Sequence, residues 1–137
     1  MKKVFWTGIL AGFVILVSDF VAGALFKFVF PALSGQYMTG TFRPWSDPKM
    51  MLYFLYPFII GIMLSYAWSK MKTLFISPSA LMRGKYFGLF AWVFLCLPGM
   101  FVTYTSFTVS AVMVLSWTVS GLVGLVLSGE LLARMNP

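Results

Sequence analysis

Three carboxylates are all that this chain of 137 residues offers to acid–base chemistry: Asp19, Asp47 and Glu130. Asp19 stands in "ILVSDFVAG", inside an apolar run that lasts from Val4 to Phe30. A two-carboxylate site would pair Asp19 with Asp47 or Glu130, and the topology implied by the charges puts Glu130 at the opposite face of a membrane. There is no histidine. That removes imidazole-ligated zinc and iron, Ser-His and Cys-His nucleophile pairs, and the commonest proton shuttle. Cys96 is the single cysteine, so no disulfide can form within the chain, and a lone buried thiol packs as a small hydrophobe. Neither a phosphate-cradling nor a dinucleotide glycine pattern occurs. The inventory is that of a protein that is not an enzyme and carries no metal or cofactor. What it leaves is one acid in an apolar helix.

The elements that must position this acid follow from composition. The chain is 61% hydrophobic and 9% charged, against roughly 45–50% and 25% in soluble domains. A water-soluble domain of this size cannot hide so much apolar surface, because small domains bury only about two-thirds of what the unfolded chain exposes. A lipid solvent removes the difficulty. Four stretches, about 4–26, 50–69, 86–104 and 108–131, reach the length of about 20 residues that a helix needs to cross the hydrocarbon core. A β-barrel would alternate apolar and polar residues, whereas "GILAGFVILV" and "SGLVGLVLSG" are apolar on every side. Backbone groups in lipid must be satisfied within their own segment. The expected architecture is all-α, a single integral membrane domain built as a four-helix bundle.

The net charge of +7 describes orientation rather than nucleic-acid binding. Lys2 and Lys3 precede the first span, Lys70, Lys72, Arg83 and Lys85 flank the second and third, and Arg134 follows the fourth. Lys27, Arg43 and Lys49 fall on the other side. The positive-inside rule then puts both termini and the loop 70–85 in the cytoplasm and the loop 31–49 outside, in a prokaryotic inner membrane. The "SPSALMRGK" of the basic loop lacks any readout motif. The opening "MKK", its apolar run and "AGA" at 22–24 mimic a signal peptide, but the run continues through "LFKFVF" and Asp19 sits badly in a signal core, so an uncleaved first span is expected.

The loops carry their own signals. "SDP" at 46–48 starts the second helix, with Asp47 as N-cap and Pro48 at the first helical position. Tyr37, Phe42 and Trp45 suit headgroup depth. Arg43, between Phe42 and Trp45, is expected either in a cation–π contact or on a phosphate, or as an anion contact in a lid over an outward-facing pocket. "LFI" and "ALM" among the charges of 70–85 predict a short amphipathic stretch on the anionic leaflet. In the fourth span Ser116, Ser120, Gly124 and Ser128 recur every four residues and form one ridge. Small residues at that spacing let helices approach closely in lipid, and Gly8 and Gly12 supply a matching patch on the first span. Leu125, off the ridge, is expected to matter less. Pro98 and Gly99 predict a kink in the third span.

The second half, "RGKYFGLFAWVFLCLPGMFVTYTSF" followed by "SWTVSGLVGLVLSG", resembles a family of short four-span bacterial and archaeal membrane proteins catalogued as a domain of unknown function. The resemblance covers residues 84–134, with Trp92, Pro98 and Trp117 as its landmarks. It implies four spans and no particular activity.

Asp19 does not prevent insertion. An aspartate at mid-helix costs about 2.5–3.5 kcal/mol, and about a dozen Leu, Ile, Phe and Val each return about 0.3–0.6. Such an acid faces protein or water rather than lipid. Tyr56 and Tyr104 are the preferred partners, because a phenol can donate to or accept from a carboxyl. Asp19 is then either structural glue or the centre of an outward-facing polar site that binds a cation or relays a proton. Two functional classes follow. One is a non-catalytic membrane subunit or scaffold, which docks another membrane protein or itself in the bilayer through its small-residue faces. The other is a small transport or ligand-binding bundle organised by Asp19.

Overall fold

The computed structural model describes residues 2–38 and 42–137. Its long helices start and stop where the local chemistry dictates. Helix α1 (Lys2–Val29) is a single apolar rod of 28 residues, about 40 Å long. A short α2 (Ala32–Gln36) follows. Asp47 caps the next element as expected, accepting the backbone N–H of Lys49 ahead of a 3-10 segment, Pro48–Leu55. That segment continues into α3 (Tyr56–Met71). Helix α4 (Ala80–Ala91) passes through a π-helical turn, Trp92–Cys96, into α5 (Leu97–Ser106). Ser110 caps α6 (Ala111–Met135) by accepting the N–H of Met113.

The described residues are all-α, and four helical stretches are long and apolar enough to cross a membrane: Lys2–Val29, Pro48–Leu74, Ala80–Ser106 and Ala111–Met135. Each extends beyond at least one end of its apolar window. Hydropathy marks only the part that suits hydrocarbon, while a helix continues until a cap or a proline ends it. The stretch 70–85 is therefore not a separate amphipathic piece. Its first part completes the second long helix and its last part opens the third, leaving only 75–79 between them. The break in the third helix also takes a specific form. Proline cannot donate to the carbonyl four residues back and its ring crowds that carbonyl. The turn preceding Pro98 relaxes by widening into the π segment.

Packing runs in the order α3, α1, α6, α4, with α1 touching both α3 and α6 extensively. Helix α5 meets α6 far more sparsely than α4 does. Near the 75–79 turn, Trp68, Phe75 and Phe87 interlock, with ring centroids 5.2 Å apart for Trp68 and Phe87 and 5.5 Å for Phe75 and Phe87. Trp68 is wholly buried, and its indole donates to the Asn136 carbonyl at 2.9 Å, tying the end of α6 to α3.

Glycine decides how closely the helices pack. A Cβ on Gly8 would stand 2.6 Å from the Ile62 Cα, and one on Gly12 2.7 Å from the Phe58 Cα. Across the interface, a Cβ on Gly61 would collide with the Gly8 carbonyl oxygen and the Gly12 backbone. The α4–α6 contact repeats the arrangement, with Gly84 against the Gly129 carbonyl and Gly88 against the Leu125 carbonyl, each at 2.5 Å from the missing Cβ. These contacts correct one expectation. Gly8 and Gly12 are not the counterpart of the fourth-span ridge; they face α3. The ridge of Ser116, Ser120, Gly124 and Ser128 is buried, and Gly124 lies against Ile15 and Ser18 of α1.

Candidate functional site

The ridge serine Ser120 delivers its hydroxyl to Asp19, donating to Oδ1. Ser120 is buried and Asp19 is partly covered. This bond joins α1 to α6. Beside it, Phe20 of α1 stacks on Phe54 of the second long helix with ring centroids 6.3 Å apart.

The π turn explains how the third helix takes part. It rotates Trp92 and Cys96 toward α6, where the Trp92 indole donates to the Thr118 carbonyl at 2.9 Å. Gly121 makes room there, since a Cβ at that position would stand 2.9 Å from the Cys96 Sγ.

Of the two phenols expected to contact Asp19, neither does so. Tyr56 is more than half exposed. Tyr104 is similarly exposed and lines a separate groove between α5 and α6. The reason is reach. Ser120 sits on the ridge that packs directly on α1, whereas the second long helix presents Phe54 to α1 there, stacked on Phe20, with Tyr56 more than half exposed, and Tyr104 belongs to α5. The other ridge hydroxyls divide their work. Ser128 donates to the Ala11 carbonyl of α1 at 3.1 Å, while Ser116 donates within its own helix to Met113 at 2.7 Å. Thr7 and Ser65 share a buried hydroxyl–hydroxyl bond of 2.6 Å between α1 and α3.

Arg43 also departs from expectation. Its guanidinium engages neither Phe42 nor Trp45 among the described contacts. It binds Asp47, with Nη1 2.8 Å from Oδ2. The Lys49 backbone N–H, 2.9 Å from Oδ1, and then the Arg43 guanidinium hold the Asp47 carboxyl below the usual aspartate range. Arg43 therefore braces the helix cap through Asp47. The aromatic belt is filled otherwise. Trp117 donates to the Tyr37 hydroxyl at 3.0 Å, and Lys27 lies 4.9 Å over the Tyr37 ring.

Glu130 pairs with Lys85 at 3.7 Å, between α6 and α4, far along α6 from Ser120. No two carboxylates come together, and among the described residues no cluster of metal-ligating side chains occurs. Four glycines that shape the bundle, Gly61, Gly84, Gly88 and Gly129, lie outside the small-residue ridge and patch expected from the sequence. Gly84 and Gly88 carry a legible signal in the GxxxG of "GKYFG". Gly61 is isolated, and nothing local distinguishes it. Comparison of the chain with protein-family models, with curated proteins and with solved structures finds no match in any of the three.

Proposed function

We propose that this chain is a small polytopic protein of a prokaryotic cytoplasmic membrane, with both termini inside, that acts as a non-catalytic subunit or scaffold. One observation carries the reading. The small-residue faces close the bundle upon itself, so the surface left for docking is lateral and apolar, and it includes a groove between α5 and α6. That groove, of about 480 Å³, is lined by Leu97, Phe101, Tyr104, Val114 and Leu115, and Phe101 is 71% exposed. A helix of another membrane protein, or of a second copy, fits an open apolar groove in lipid, where association rests on packing.

A photo-crosslinking residue at position 101, with position 28 as a control on α1, tests this in intact membranes. The expected result is one discrete adduct from 101 and none from 28. Crosslinks to lipid alone from both positions would refute the docking role. Reporter fusions after Pro137 and within 35–38 are expected to report opposite compartments, and matching compartments would overturn the orientation.

A second reading is favoured by the Asp19–Ser120 bond between α1 and α6. An acid at that depth is a functional site by default, here for a cation or a proton. In proteoliposomes, Asp19→Asn should leave the fold intact and abolish ion or proton flux. Absence of flux in the unmodified protein would remove this reading and leave the first untouched.

A further inference from the structure

A second groove opens sideways between the first halves of α1 and the last turns of α3, at the end that carries the basic residues. It measures about 590 Å³ and is lined by Val4, Phe5, Ile62, Met63 and Tyr66, with Ser69 and Lys70 at its mouth. Its volume lies within the roughly 300–1,000 Å³ of small-molecule sites. Its walls are apolar throughout, and Phe5, Met63 and Tyr66 each turn about half or more of their surface outward. Only the mouth is polar. The Lys70 ammonium lies 5.9 Å from the Tyr66 ring centroid, and Lys2 and Lys3 stand one or two positions before Val4 on the facing helix.

These three cations lack anions. The ion pairs among the described residues are Arg43 with Asp47 and Lys85 with Glu130, and neither involves the groove. The remaining acid, Asp19, lies about four turns further along α1, about 22 Å of helix rise from Val4, and is bonded to Ser120. An apolar channel that ends in unneutralised lysines has the chemistry of one occupant: a phospholipid with an anionic headgroup.

We propose that the α1–α3 groove is a binding site for an anionic phospholipid, with an acyl chain along Phe5, Met63 and Tyr66 and the headgroup phosphate at Lys70, Lys2 and Lys3. The inference rests on the reading of the chain as a membrane protein with this end in the cytoplasm. The acyl chain gains van der Waals contact with a surface that the bundle itself does not fill. The headgroup supplies the charge that the protein lacks there, an attraction worth about five-fold in binding per lysine near the surface. Ser69 donates to the Tyr66 carbonyl at 2.7 Å, so its hydroxyl is engaged within the helix and Lys70 is the charged group at the mouth.

The full chain, exchanged into nanodiscs with equal amounts of phosphatidylglycerol and phosphatidylcholine and then released for native mass spectrometry, tests the site. The unmodified protein should retain phosphatidylglycerol in preference to phosphatidylcholine. Lys70→Gln should lower that preference about five-fold, Lys70→Arg should keep it, and Met63→Trp, which fills the groove, should lower retention of both lipids. Equal retention of the two lipids by the unmodified protein, or an unchanged preference in Lys70→Gln, would overturn the proposal, as would a second copy of the chain in place of lipid. A circular-dichroism spectrum matched to the parent separates loss of the site from loss of the fold. Recovery of the protein in a carbonate-washed soluble fraction would instead defeat the membrane reading itself.

Discussion

Replacing Gly61 with alanine should separate α1 from α3, and the structure sets the size of the effect. The new Cβ would lie 2.8 Å from the Gly12 Cα and nearer still to the Gly8 oxygen and the Gly12 nitrogen. All three atoms are backbone, so no side chain can rotate aside. Relief requires α3 to move outward by about 1 Å, and a gap of that size forfeits a quarter to a half of each contact it opens. The α1–α3 interface is the most extensive in the bundle, so the loss spreads along it. Overpacking of this kind costs about 1–3 kcal/mol, occasionally more, and the upper end applies where only backbone can yield. Alanine returns about 1 kcal/mol of helix propensity over glycine, leaving Gly61→Ala less stable by about 2 kcal/mol. The control is Gly124→Ala, whose Cβ would meet Ile15 and Ser18 at 3.5 Å, an ordinary contact. There the propensity gain acts alone, and stability should be unchanged or raised by up to about 1 kcal/mol. Unfolding in mild detergent, followed by tryptophan fluorescence against added denaturing detergent, should separate the two variants by about 3 kcal/mol. Indistinguishable midpoints would refute the claim that glycine-limited contact between α1 and α3 holds the bundle together.

Other expectations are more local. A double-mutant cycle with Asp19→Ala and Ser120→Ala should give a coupling of about 0.6–2 kcal/mol, and a coupling of zero would show the hydrogen bond to be without consequence. Asp19→Asn, which can still accept the Ser120 hydroxyl, should unfold at the parent's midpoint. Leu125→Ala should cost about 2 kcal/mol or more, because Leu125 is buried in the core; a negligible loss would restore the expectation that it matters little. For Asp47, whose folded carboxyl is held below the usual value of 3.8, the capping contribution is fully present above that value and is lost as pH falls through the depressed one. Protection of segment 47–55 against hydrogen exchange, relative to the intrinsic rate at each pH, should therefore fall through that acid window in the parent and be low at every pH in Asp47→Ala; protection in the parent that is unchanged through the window would refute the cap.

Much of the architecture is written locally in this sequence. Four apolar stretches long enough for a bilayer, a lone acid among them, and the "SDP" start of the second helix all depend on a residue's own type and its near neighbours. So does the ridge of Ser116, Ser120, Gly124 and Ser128, because a spacing of four places small residues on one face whatever lies opposite. What lies opposite is a matter of which helices become neighbours, and only the tertiary structure decides that. Each long helix is apolar on nearly every side, so no amphipathic stripe marks the face that will be buried. The ridge found Ile15 and Ser18 rather than Gly8 and Gly12. Those glycines closed on Gly61, whose importance depends wholly on a partner 49 or more positions earlier in the chain. The choice of Ser120 over Tyr56 or Tyr104 at Asp19 has the same origin. The chemistry of a carboxyl calls for a hydroxyl, and the packing of α6 on α1 selects which one arrives.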